Sequence, residues 1–205
     1  MIAIIDYGMG NLRSVEKGFQ HVGVDARVVT TAREVADASG VVLPGVGAFR
    51  DCMQNLGQMG LIEPVKKSIA DGKPFLGICL GLQALFTESE EFGHTEGLGV
   101  LKGRVPRFPR SELKVPHMGW NSITIRRRPP IMPADVPDGA YFYFVHSYYV
   151  APEDEGIIAT TTDYGLTFTS MVWKDNVFAT QFHPEKSQAL GLKVLKGFGE
   201  FVDAN

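Results

Sequence analysis

Cysteine is scarce in this 205-residue chain: Cys52 and Cys79 are its only two. Two cysteines cannot build a disulfide framework, and their use fits a reducing compartment such as the cytoplasm. An excess of either charge is also missing. Lys and Arg number 20 against 23 Asp and Glu, a formal net charge of −3. That balance supplies no field for general nucleic-acid or anionic-membrane binding, so neither is expected as a partner. No apolar run reaches the ~18 residues that a membrane span needs. The opening MIAIIDYGMG has no basic segment and carries Asp6, so it reads as a strand and not as a signal peptide. No CxxC, HExxH or related ligand spacing occurs, which argues against a bound metal. A GxxxxGK[ST] phosphate loop is absent as well. Internal repeats and domain linkers are not evident. With 44% hydrophobic and 21% charged residues, one folded domain over 1–205 is expected.

What is present alternates. Apolar runs predict strands over 2–5, 26–30, 41–43 and 74–78. Helical spacing follows each of them, as in Leu12, Val15, Phe19 and Val22, then over 32–38, 48–56, 61–70 and 81–86. Asn11 and Thr31 stand where N-caps belong. Such alternation argues for parallel βαβ units, with functional groups gathered beyond the carboxyl ends of the strands. The second half is richer in β pattern, near 99–105, 122–125, 140–150, 156–161, 166–173 and 177–182. The last two runs are expected to pair as a hairpin around Asp175-Asn176, and Asp138-Gly139 marks a further turn. Ser187 is placed to cap a closing helix striped by Leu192, Leu195, Phe198 and Val202. The run Arg126-Arg127-Arg128-Pro129-Pro130 reads as a solvated loop. The fold class expected is α/β: a single-domain, open, mostly parallel sheet flanked by helices, with a more antiparallel second half.

Three short motifs carry chemistry. Gly77-Ile78-Cys79-Leu80-Gly81 has the form of a nucleophile elbow with Cys in the nucleophile position. A side chain thrust from a tight strand-to-helix turn needs glycine on either side, where neighbouring backbone passes close. The helix beginning after Cys79 would aim its free N–H groups at the sulfur and favour the thiolate. On these five residues alone, a buried packing cysteine at a strand end is equally compatible. The second motif is Gln181-Phe182-His183-Pro184-Glu185. His183 is suited to take the thiol proton and later return one to a leaving amine, and Glu185 to orient the imidazole. Alone it reads as a surface histidine beside a solvated carboxylate; paired with the upstream elbow it is far more specific. The third is Pro44-Gly45-Val46-Gly47 after the third strand. A thioester route passes through a tetrahedral oxyanion that needs N–H donors, for which Leu80 and either Val46 or Gly47 are candidates. By itself this loop is no more than a strand-ending turn. Cys52 reads as packing, and His21 and His94 have no partner pattern.

Together, in this order and spacing, the motifs resemble the class I, triad-type glutamine amidotransferases over essentially the whole chain. The resemblance implies hydrolysis of L-glutamine to glutamate and ammonia through a γ-glutamyl thioester, with no cofactor. By position it implies Cys79 as nucleophile, His183 as base and acid, and Glu185 as the orienting carboxylate. It further implies substrate contacts from Gln83, Gly45, Ser147 and Tyr148. Pro116-His117-Met118-Gly119-Trp120-Asn121 and Tyr141–Tyr148, YFYFVHSY, resemble those members of the family that deliver ammonia to a (β/α)8-barrel cyclase subunit in histidine biosynthesis. The cyclase-facing residues implied are Asn11, Met118, Trp120 and Lys186. Aromatic and Met side chains of this kind suit an interface core, and equally a β-rich core. The alternative within the family is the glutaminase subunit of another synthase, of the pyridoxal phosphate or anthranilate type. Outside it stand a partner-independent cysteine amidase and a catalytically dead binding module.

Overall fold

The computed structural model describes residues 1–110 and 112–205. In its first part, β1 (Ile2–Ile5), α1 (Leu12–His21), β2 (Ala26–Val29), α2 (Ala32–Asp37), β3 (Gly40–Gly45), α3 (Phe49–Gln58), α4 (Ile62–Ala70), β4 (Phe75–Cys79) and α5 (Leu80–Ala84) follow one another. Then come β5 (Glu88–Ser89), β6 (Thr95–Glu96), β7 (Gly103–Val105), β8 (His117–Ser122), β9 (Thr124–Ile125), β10 (Tyr141–His146) and β11 (Ala151–Pro152). The chain closes with β12 (Ile158–Asp163), β13 (Thr167–Lys174), β14 (Val177–Thr180) and α6 (Gln188–Asp203).

The strands β1, β3, β4 and β14 are buried at every position. That is why they read as continuous apolar runs: strands covered on both faces have no polar side to show. They form the middle of an eight-stranded sheet ordered β2-β1-β3-β4-β14-β13-β12-β9. Pairing is parallel from β2 to β14 and antiparallel from β14 to β9. The α/β sheet expected from the pattern is therefore present, and the β13–β14 hairpin with it. One face packs on α2 to α5 through Val35, Phe49, Leu56, Val65 and Leu82. The other packs on α1 and α6 through Phe19, Val194, Leu195 and Phe198. Two smaller sheets, β10-β8 and β11-β7-β5-β6, lie beside the large one.

Thr31 caps α2 in a full capping box. Its hydroxyl accepts from the Glu34 N–H, and Glu34 accepts from the Thr31 N–H at 3.0 Å. Two other expected caps fail. The Asn11 side chain makes no capping bond; its carbonyl accepts from the Ser14 and Val15 N–H groups instead. Ser187 does not cap α6. Its hydroxyl donates to the His183 carbonyl at 2.6 Å and accepts from the Tyr143 N–H at 3.0 Å. The run over 99–105 is a strand only from Gly103. β3 continues through Pro44 and Gly45, beyond the expected 41–43. Pro44 is tolerated there because the β1 pairing has already ended at Val42. β8 was not expected as a strand before Ser122. Its alternation is inverted: Met118 and Trp120 face outward while His117 is buried.

Candidate active site

Cys79 ends β4 with φ 54° and ψ −103°, a left-handed backbone that non-glycine residues rarely adopt. The turn is tight enough to need its glycines. A Cβ on Gly81 would lie 1.8 Å from the Leu43 carbonyl oxygen, and one on Gly77 2.8 Å from that of Gly81. Parallel pairing sets Gly45 of β3 opposite Cys79, and Ile78 opposite Thr180 of β14. The end of β14 thus delivers the QFHPE segment to the same rim. Leu80 begins α5, so its N–H has no acceptor within the helix.

His183 Nδ1 and Glu185 Oε1 are 2.8 Å apart, and both side chains are only 2% exposed. The carboxylate therefore holds the Nδ1 proton and turns Nε2 away from itself. His183 Nε2 is buried with no hydrogen-bond partner, as is Glu185 Oε2. Burial by itself pushes the imidazole down. The adjacent Cys79 sulfur and Glu185 carboxylate outweigh it and hold His183 up at about 10. At neutral pH the ring therefore carries its second proton, the state needed to protonate a departing amine. Gln181 Nε2 donates to Cys79 Sγ at 3.6 Å, and the Gln83 amide nitrogen donates to Gln181 Oε1 at 3.1 Å.

Cys79 opens into a cavity of about 230 Å³. This is smaller than the ~300–1,000 Å³ that drug-sized ligands occupy. Val46, Gly47 and Leu80 line one side; Gln83, Ser147 and Tyr148 line another. Cys79 and six further sequence-derived candidates thus converge on the cavity, while His183 and Glu185 lie buried beside Cys79 without lining it. Gly45 does not line the cavity and is buried at the strand end, where a Cβ would meet the Tyr7 hydroxyl at 2.2 Å. Glu91 and His146 also line the cavity and were not singled out from the sequence. Glu91 Oε2 accepts from the Phe49 N–H at 2.7 Å. Nothing in the local spacing marks Glu91, because the loop between β5 and β6 brings it over the site. Gln181 was within reach of sequence reasoning: it stands two positions before His183, and alternate residues of extended chain share a side.

The residues implied to face a partner fall partly into one patch. Met118 is 63% and Trp120 46% exposed. Trp120 lies edge-on to Tyr143 at 6.2 Å, and Lys186 Nζ lies 5.8 Å from the same ring. Asn11 is exposed at the start of α1, a helix that packs beside the Pro184–Lys186 turn. Among the described residues no cluster of His, Cys, Asp and Glu is arranged to hold a metal, and no helix is long and apolar enough to cross a membrane.

Solved structures share this architecture at low identity. A crystal structure of a glutamine amidotransferase superposes with a TM-score of 0.75 at 18% identity, covering 99% of this chain and 100% of that one. PurLQS from Thermotoga maritima gives 0.76 at 17% identity, covering 98% and 97%. These two show likeness of fold alone. Among curated relatives, the imidazole glycerol phosphate synthase subunit HisH of Geobacter sulfurreducens is 60% identical, covering 97% of this chain and 98% of the relative. The protein of the same name from Syntrophotalea carbinolica is also 60% identical, over 98% of this chain and 100% of the relative. The family model for glutamine amidotransferase class-I matches residues 3–198. A match of that extent, on a chain whose elbow cysteine and buried His–Glu pair share one rim, makes this protein a member of the class-I glutamine amidotransferase family.

Proposed function

We propose that the chain is the glutaminase subunit of an imidazole glycerol phosphate synthase. It hydrolyses L-glutamine and passes the ammonia to a (β/α)8-barrel cyclase subunit. There the ammonia reacts with a phosphorylated ribulose intermediate, giving imidazole glycerol phosphate and an aminoimidazole carboxamide ribotide. The observation that carries the chemistry is the His183–Glu185 pair at 2.8 Å, buried beside Cys79, which itself lines a small cavity. The high identity to relatives named for this synthase favours it over a pyridoxal phosphate or anthranilate-type partner. It is equally the argument against a free-standing cysteine amidase.

The geometry supports the following steps. Glutamine enters with its carboxamide carbon near Cys79 Sγ. Glu91 Oε1 is left over for the α-ammonium group, since Oε2 is already taken. Ser147 and Tyr148 offer backbone groups to the α-carboxylate, and Gln83 borders the side chain. The thiolate attacks. The Leu80 N–H and an N–H of Val46 or Gly47 meet the oxyanion. His183 protonates the leaving ammonia, and water activated by the same ring then clears the thioester. Ammonia is mostly protonated in water at pH 7 and is then no nucleophile, so delivery through a sealed path keeps it reactive. The exposed patch of Met118, Trp120 and Lys186, with Asn11, is the surface on which we seat the cyclase. The chemistry needs no cofactor and suits the cytoplasm.

The test is glutamate release from glutamine by the subunit alone, with the cyclase, and with the cyclase carrying its ribulose-phosphate ligand. Strong release only in the loaded complex is expected, because a Gly-rich loop such as the one carrying Val46 and Gly47, with Gly47 at φ 106°, can hold the oxyanion donor in more than one orientation. Release by the lone chain that the cyclase leaves unchanged would remove the assigned partner. Cys79→Ala is expected to abolish glutamine use while ammonia-dependent synthesis by the complex persists.

A further inference from the structure

Two buried histidines stand outside the triad. His117 of β8 and His146 of β10 face each other across the strand pair, with His117 Nδ1 3.0 Å from His146 Nε2. The hydrogen-bond directions around them are determined from both ends. Asn121 Oδ1 accepts from the Ser122 N–H at 2.8 Å, and its amide nitrogen donates to the Asp163 carbonyl at 2.8 Å. The second hydrogen of that nitrogen goes to His117 Nε2 at 3.2 Å, so Nε2 accepts and the His117 proton is on Nδ1. At the other end, His146 Nδ1 lies 2.8 Å from the Tyr148 carbonyl, which can only accept. His146 Nδ1 therefore carries the proton, and His146 Nε2 receives the one from His117. Both rings are neutral with the hydrogen on Nδ1.

The Tyr148 carbonyl receives a second donor, the Gln83 amide nitrogen at 3.0 Å. Its two lone pairs are then both used. The other hydrogen of that nitrogen goes to Gln181 Oε1, so Gln83 Oε1 is the end left for a ligand. Tyr148 and Gln83 both line the cavity at Cys79, as does His146.

We propose that His117 and His146 are positioning residues for glutamine hydrolysis: as a neutral pair of single tautomer they fix the Tyr148 carbonyl, which in turn holds the Gln83 amide with its oxygen toward the glutamine pocket. This rests on the glutaminase reading above. Burial supports it, pushing His117 down to about 4 and His146 to about 3. A charged His146 would present a hydrogen on Nε2 to the His117 Nδ1–H and break the chain.

The pair is tested in the complex loaded with the ribulose-phosphate ligand. His117→Phe keeps a ring between Phe144 and Tyr164, on which His117 stacks at 5.0 and 4.0 Å, and removes the donor. It is expected to raise the glutamine KM about ten-fold with kcat within about two-fold. His117→Asn loses the ring but places an amide N–H near the Nδ1 position, and is expected to recover most of the KM. An unchanged KM in His117→Phe, or an equal rise in both variants, overturns the proposal. Nitrogen-15 spectra of the wild-type histidines provide a reading that does not depend on variant folding. A proton on Nε2 of either ring at pH 7 would also overturn it. Failure of the wild-type complex to hydrolyse glutamine would instead bring down the glutaminase reading, while the spectra still judge the pair.

Discussion

Cys79 is held where its backbone is strained, and the strain has a measurable sign. Glycine ordinarily costs about 0.5–1 kcal/mol against alanine inside a regular element. At φ 54° the order should invert, because a Cβ there costs about 1–2 kcal/mol. Cys79→Gly is therefore expected to melt above Cys79→Ala, by about 1 kcal/mol of stability; alanine as the more stable variant would show the turn to be relaxed. The same residue was legible in the sequence because an elbow is local: five adjacent positions carry both the candidate nucleophile and the glycines that let the Leu43 and Gly81 carbonyls approach. His183 and Glu185 were legible for the same reason, being two apart. Glu91 and His146 were not, since neither has a neighbour in sequence that explains it. Both reach the cavity only through the path of a loop or a strand end.

At the scale of elements, the continuous apolar runs of β1, β3, β4 and β14 were readable because both faces of a central parallel strand are covered. β8 was not. Its outward residues are Met118 and Trp120, and its inward one is a histidine, so the usual polarity of alternation is reversed. The β8–β10 pair also sets the acid response of the fold. His117 and His146 are buried against Phe108, Phe144, Tyr164 and Phe168, and His117 and then His183 are the nearby groups that further disfavour charge on His146, against the Tyr148 carbonyl that favours it. Their folded values lie near 4 and 3, below the ordinary 6.5. The unfolded chain then binds more protons below pH 6.5, so their contribution to stability is complete above 6.5 and is lost as pH falls through 4 to 3. The melting temperature is expected to fall between pH 6.5 and 4, and less steeply in His117→Phe. Equal slopes in the two proteins would show that other groups govern the acid limb.

At the scale of the whole molecule, the rim is assembled from distant parts of the chain. Gln181 touches the Cys79 sulfur from 102 positions away, and the neighbouring strands β4 and β14 pair across the same interval. Pairing of such separation forms late, because its loop must close before any contact repays the lost freedom. On dilution from denaturant, helical signal is expected to return before Cys79 becomes reactive toward a glutamine-like electrophile; simultaneous return would contradict late closure. The order carries a consequence during synthesis. A nascent chain exposes Cys79 long before His183, the residue we propose activates it, has been translated. On the proposed mechanism the unfinished protein therefore spends no glutamine, and the groups that hydrolysis requires first stand together when the sheet is complete.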